Sequence, residues 1–141
     1  MSFVLDASVA LLWLAPGSNP DGVDYASAAL RSLRASQAVV PSLWALETAN
    51  VIARLEARGV ATEADCQRFI ALLARLDIVT DQATAAHALS DTLNLARRYK
   101  LSAYDAAYLE LALRTGLPLA TLDADLAKAT AAAGVAVFGA R

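Results

Sequence analysis

Cysteine and histidine each occur once in this chain, as Cys66 and His87, and that scarcity removes several chemistries at the outset. One cysteine makes no internal disulfide, and single Cys and His residues do not build the clustered ligand set that selects zinc. Asp65 and Gln67 flank Cys66 on a polar stretch, which gives no sign of an activated thiol. His87 reads as an ordinary helix residue. Long hydrophobic runs are missing too: the longest, Val9 to Ala15, falls far short of the roughly 20 residues that cross a bilayer. A secretory leader would open with basic residues, whereas the first charge here is Asp6, inside the one candidate hydrophobic region. The expectation is a cytoplasmic protein with no membrane partner.

Excess positive charge is also absent. Twelve Lys and Arg against 14 Asp and Glu leave a net charge of −2, which argues against gripping nucleic acid through a broad basic surface. No direct DNA binding is expected from this chain, and any action on RNA has to be local. Arg97, Arg98 and Lys100 form the one tight basic cluster, suited either to a solvated helix end or to phosphate contact.

What is abundant is alanine, 34 of the 141 residues, so the 57% hydrophobic content favours helix more than a bulky core. The length suits one domain, expected over residues 1–141 without linker, repeat or low-complexity tail. Short apolar runs at 3–5, 38–40, 78–80, 119–121 and 135–137 read as five buried strands. Helical patterns lie between them, at about 8–15, 22–35, 43–58, 63–76, 82–99, 103–115 and 124–133. Thr62 with Asp65 forms a capping signal, Pro41-Ser42 marks a helix entry, and Gly59, Gly116 and Gly134 stand just past helix ends. Strands alternating with helices predict an α/β fold with a mostly parallel sheet covered on both faces. Trp44, Val51, Leu55, Phe69, Leu72 and Leu73, on the segments 43–58 and 63–76, are expected in the core more than on a partner-facing surface.

The informative residues are acids: Asp6, Glu47, Asp105, Asp123 and Asp125. Ligand sites of open α/β sheets form beyond the carboxyl ends of the strands, where Asp6 and Asp123 fall. Asp is also a favoured N-cap, and both precede helices, so capping is the competing account of each. Ser102-Ala103-Tyr104-Asp105 likewise has the spacing of a capping box. Yet at 100° per residue Glu110 and Arg114 mark a polar stripe, and Asp105 points nearly opposite, among Tyr108, Leu109 and Ala112. A carboxylate facing a core must be neutral, paired or bound to a cation. Glu47 shares its face with Asn50, Arg54 and Arg58, an ordinary solvated stripe, although Leu43, Trp44 and Val51 beside it leave room for a cleft rim. Carboxylates converging on one pocket repel unless a hard divalent cation such as Mg²⁺ or Mn²⁺ joins them, and the chemistry that follows is phosphoryl hydrolysis.

Four segments together resemble a known family. Phe3-Val4-Leu5-Asp6-Ala7-Ser8, Glu47-Thr48-Ala49-Asn50, Ser102-Ala103-Tyr104-Asp105-Ala106-Ala107-Tyr108 and Leu119-Ala120-Thr121-Leu122-Asp123-Ala124-Asp125 resemble, in order and spacing, the motifs of PIN-domain nucleases, especially VapC-type toxins. The resemblance implies a three-layer α/β/α fold and an acid quartet at Asp6, Glu47, Asp105 and Asp123. Asp125 matches a position that sometimes carries a further acid, and Ser8, Asn50 and Thr121 match polar positions that support the metal, its waters or the acids. It implies that Asp6, Asp105 and Asp123 ligate one or two Mg²⁺ or Mn²⁺ ions, with Glu47 a direct or water-mediated ligand or the residue that orients the attacking water. The implied substrate is structured RNA such as tRNA or rRNA, and the implied partners are a VapB-type antitoxin and a second copy of the chain.

Two other folds place an Asp after the first strand. A haloacid-dehalogenase phosphatase wants a second carboxylate where Ser8 stands, and a receiver domain wants adjacent acids there; neither pattern fits. A PIN-like domain that binds RNA or a partner without cutting, and a PIN nuclease of RNA processing, are the remaining alternatives.

Overall fold

The computed structural model describes residues 2–139. Four short strands, β1 (Phe3–Leu5), β2 (Ala38–Val40), β3 (Ile78–Thr80) and β4 (Leu119–Ala120), form one sheet in the order β3-β2-β1-β4, every pair parallel. Phe3, Val4 and Leu5 are almost wholly buried, as a strand covered on both faces requires. Each such side chain contributes about 1.5–3 kcal/mol by leaving water. The chain leaves β1 toward β2 on one side and returns through β4 on the other, so a crevice opens between β1 and β4 at their carboxyl ends.

Helices α1 (Ala7–Leu14), α2 (Val23–Ser32), α3 (Trp44–Ala57) and α4 (Glu63–Arg75) pack around α1. Beyond α5 (Thr84–His87), helices α6 (Leu93–Tyr99) and α8 (Ala124–Ala132) pack on α7 (Ala103–Thr115), which lies against β1 and β4. These two groups flank the sheet as the expected three-layer α/β/α fold. Thr62 and Asp65 close a reciprocal capping box on α4. Trp44 and Phe69 are core residues, with Val51, Leu55, Leu72 and Leu73 half-buried. Gly22 is buried where a Cβ would meet the Leu122 side chain at 2.8 Å.

Three sequence expectations are corrected. The fifth strand, 135–137, shrinks to a single bridge between Leu119 and Val137, because glycines with positive φ, Gly134 and Gly139, turn the chain at either side. The third strand is not buried: it is the sheet edge, and Val79 and Thr80 are exposed. The helix expected over 82–99 is interrupted by a π turn at Ala88–Thr92, whose wider ring shifts the helical phase between α5 and α6.

Candidate active site

The β1–β4 crevice is built from two strand ends that hydrogen-bond to each other. Asp6 N–H donates to the Ala120 carbonyl at 3.0 Å, which fixes Asp6 beside the end of β4. Its Oδ2 accepts from Ser8 Oγ at 2.6 Å and from Thr121 Oγ1 at 2.7 Å. Both hydroxyls are locked in turn, Thr121 Oγ1 accepting from Asp123 N–H and Ser8 Oγ from Leu122 N–H, each at 3.0 Å. Because β4 ends at Ala120, Thr121 is released from the ladder and its hydroxyl reaches across to β1.

Asp6 stands at the N-cap position of α1 but closes no side-chain cap hydrogen bond there. Only 5% exposed, it has its pKa raised by burial, an effect the two hydroxyl donors oppose and the charge of Asp123 adds to. Asp123 does cap α8, its Oδ1 accepting from Leu126 N–H at 2.9 Å, and that bond involves one carboxylate oxygen. Asp105 receives half of a capping box: its N–H donates to Ser102 Oγ at 3.1 Å, while its carboxylate gives nothing back to Ser102.

Asp105 is where the acids meet electrostatically. Its pKa is pushed up to about 6, first by burial and then by the charges of Asp123, Asp6, Glu47 and Asp125, in that order. Glu47, half-buried on α3, is joined to α7 by the Tyr108 hydroxyl, which donates to Glu47 Oε1. Burial raises the Glu47 pKa, the Tyr108 bond lowers it, and the charge of Asp6 raises it again. Tyr108 is fully buried, and burial together with the Asp6 charge and the Glu47 bond keeps its phenol protonated. Sequence reasoning had placed Tyr108 in the core without a polar role; no local signal marks a bond to a residue 61 positions away.

Thus the charges of the other four acids singled out in the sequence all reach Asp105, with Asp125 exposed at the rim. Ser8 and Thr121 hold Asp6. Asn50 is exposed, and no hydrogen bond joins it to the acids among the described residues. Arg97 and Lys100 are exposed at the end of α6, where Lys100 takes a left-handed conformation, φ 56°. Arg98 belongs elsewhere: it lies over the Tyr99 ring and lines a separate cavity of about 530 Å³ with His87, Asp91, Glu110 and Arg114.

That second cavity corrects the expected polar stripe of α7. Glu110 is 4% exposed, not solvated, because α7 is covered around most of its circumference by the sheet, α6, α8 and the π turn. Arg114 compensates, its Nε donating to Glu110 Oε2 at 2.7 Å and Nη2 to Oε1 at 3.1 Å. Arg114 also forks onto Asp81, at 3.1 and 2.8 Å, and that pairing lowers the Asp81 pKa. His87 Nδ1 lies 3.2 Å from Asp91 Oδ2 and 3.9 Å from Glu110 Oε2. Among the described residues it is this trio, not the crevice acids, whose potential ligand atoms close to within 4.8 Å of one another. His87 is therefore part of a charged cluster, a step beyond the ordinary helix residue expected. Cys66 behaves as expected: the thiol is buried and its pKa pushed up to about 11, so it is inert.

The family model of the PIN domain matches residues 3–132, from β1 to the last residue of α8. The chain belongs to the PIN-domain family. Members of this family are generally metal-dependent nucleases, and the acid-lined crevice is where this PIN domain gathers its carboxylates. Among solved structures, the chain is similar to PAE2754 from Pyrobaculum aerophilum, with 24% identity, a TM-score of 0.62, and 92% of this chain and 79% of that one covered. It is similar also to FitAB bound to an IR36 DNA fragment, at 23% identity and TM-score 0.60 over 98% and 94% of the two chains. FitAcB from Neisseria gonorrhoeae follows at 21% identity and TM-score 0.52, over 99% and 97%. At these identities the likeness establishes the fold. No curated protein sequence matches the chain. No helix among the described residues is long and apolar enough to cross a membrane.

Proposed function

We propose that this PIN domain is a Mg²⁺- or Mn²⁺-dependent endoribonuclease, the VapC-type toxin of a pair restrained in the cytoplasm by a cognate antitoxin. The observation that carries the reading is the unpaired crowding of acids: Asp6 is buried, Asp105 is raised to about 6, and among the described residues no Lys or Arg bonds to either. A buried carboxylate without a cationic side chain fits a bound cation. The donors are all oxygens, which suits Mg²⁺ or Mn²⁺ and not zinc. Asp6, Asp105 and Asp123 would hold the ion, with Glu47 direct or through water and Asp125 at the rim. When bound, the metal supplies an acidified water and polarises the scissile phosphate.

The chain's own residues divide the remaining work. Ser8 and Thr121 fix the Asp6 carboxylate, and with it the end of β4 that carries Asp123. Tyr108 aims Glu47 toward the pocket and, by donating to one oxygen, leaves the other to orient a water. Asp123, half committed to its cap, cannot swing away without freeing the first turn of α8. An acidic pocket of this kind accepts a guanidinium in place of metal, which is how an antitoxin would silence it. RNA is the proposed substrate, with Arg97 and Lys100 as candidate phosphate contacts; DNA contact is left to the antitoxin, and a homodimer is the proposed assembly.

The test is cleavage of total RNA by antitoxin-free protein with Mg²⁺, with Mn²⁺ and with chelator, beside Asp6→Ala. Metal-dependent cutting lost in the variant is the expected result. A folded protein that cuts under no metal overturns the reading in favour of a non-catalytic PIN domain.

A further inference from the structure

Of the nine aromatic side chains in the sequence, all within the described residues, eight are buried or half-buried and one, Tyr104, is 67% exposed. It directly precedes Asp105. Resting on the ribonuclease reading above, we propose that Tyr104 is a substrate-contact residue on which an unpaired RNA base stacks at the mouth of the acid pocket.

Its placement follows from helix geometry. Tyr104 and Tyr108 are four residues apart on α7, hence one above the other on the same face. Tyr108 spends that face on its bond to Glu47 of α3, and Tyr104 stands one turn nearer the start of α7, beside Asp105. Leu46, which directly precedes Glu47 on α3, is also exposed, at 76%. On α3 and α7 a large exposed side chain thus stands immediately before the acid, whereas Ala124 precedes Asp125 on α8. An exposed aromatic ring beside a pocket acid offers a face on which a base can stack.

Charge selects stacking as the mode. The chain carries a net charge of −2, and the pocket gathers five acids that repel phosphate until a cation is bound. Affinity cannot rest on counterion release over a broad basic face. Stacking on an aromatic ring is insensitive to phosphate charge and needs a base out of its duplex, which directs the enzyme to loops and other single-stranded segments of structured RNA.

Full-length wild type, Tyr104→Ala, Tyr104→Phe, Tyr104→Trp and Asp105→Asn would be compared on a fluorescently labelled single-stranded RNA containing 2-aminopurine. Steady-state cleavage and binding fluorescence in chelator would both be read. Tyr104→Ala is expected to raise KM by about 10- to 100-fold and to leave kcat within about threefold, while Phe and Trp preserve KM. The stacking quench should vanish in Tyr104→Ala and persist in Asp105→Asn. An unchanged KM and quench in Tyr104→Ala, or a KM that rises equally in Tyr104→Phe, overturns the proposal. So does a Tyr104→Ala protein that becomes monomeric in light scattering but binds RNA normally, since the ring then belongs to a contact between copies. If wild type binds with the Tyr104-dependent quench but never cuts, the nuclease reading fails while the stacking contact stands. If it neither binds nor cuts, both fall.

Discussion

Two carboxylates, Asp6 and Glu110, are buried almost equally, at 5% and 4% exposure, and the chain treats them in opposite ways. Glu110 is clamped through both oxygens by Arg114, which reaches on to Asp81, so the charge removed from water is returned to a cation inside the protein. Among the described residues Asp6 receives two hydroxyls and the repulsion of Asp123, and no cationic side chain. Burying an ion without a partner is costly, and the fold demonstrates on α7 that it can provide one. The lack of such a partner at the β1–β4 crevice among the described residues is the contrast on which the proposed metal site rests. The same contrast separates Asp81, whose pKa is lowered by Arg114, from Asp105, whose pKa is raised to about 6 by burial and like charge.

The largest effect that should separate the regions is on activity. Asp105→Asn is expected to reduce RNA cleavage by about 10³-fold, since it removes a proposed metal ligand. The same variant should gain stability in metal-free buffer at neutral pH, by roughly 1 kcal/mol after allowance for partial solvent access, because it relieves repulsion. Urea unfolding of the purified variant checks this; a loss of stability would show that the Asp105 charge is compensated in some other way. Arg114→Met should do the reverse: cleavage stays near wild type, while about 3 kcal/mol of stability is lost with Glu110 left unpaired. Adding Glu110→Gln to Arg114→Met should recover part of that loss, a coupling that a double-mutant cycle measures.

Thr121→Val is a smaller perturbation, expected to cost about 1.5 kcal/mol in stability because two hydrogen bonds, one of them to a carboxylate, disappear. A larger decrease in kcat than in stability would show that Thr121 positions Asp6 for chemistry as well as holding β4. The pH dependence of stability is the mildest contrast. Asp105 has a folded pKa above its ordinary 3.8, so the folded form binds the proton more tightly, and stability contributed by protonated Asp105 is lost as pH rises from about 4 through about 6. Asp81 has the opposite sign: its contribution is present above 3.8 and lost as pH falls through its lowered value. Asp105→Asn should flatten the first slope and Arg114→Met the second, as read from unfolding midpoints across this range.

How far the sequence reveals this site depends on which neighbours are local. Asp6 and Asp123 are legible because a strand end is a local feature, and four motifs in register make the family recognisable. The face argument singled out Asp105 on a premise that the structure corrects. Helical phase separates Asp105 from Glu110 and Arg114, but it does not reveal that α6 and the π turn cover the supposed solvent face. The five-strand expectation failed for a similar reason: Val135-Ala136-Val137 has strand-forming residues, yet flanking glycines limit it to one bridge. The Tyr108–Glu47 bond and the Arg114–Asp81 fork join distant segments, so composition and periodicity carry no trace of them.

The most direct test of the central claim is Mn²⁺-induced thermal stabilisation by scanning calorimetry, at about pH 7.5 and about pH 5. Wild type, Asp105→Asn and His87→Ala would be measured together, the last because His87, Asp91 and Glu110 form the other ion-sized cluster. The account predicts a clear rise in Tm for wild type and His87→Ala near pH 7.5, a much smaller one near pH 5 where protonation of Asp105 competes, and little at either pH for Asp105→Asn. Equal stabilisation of Asp105→Asn, or a rise abolished by His87→Ala instead, would contradict it.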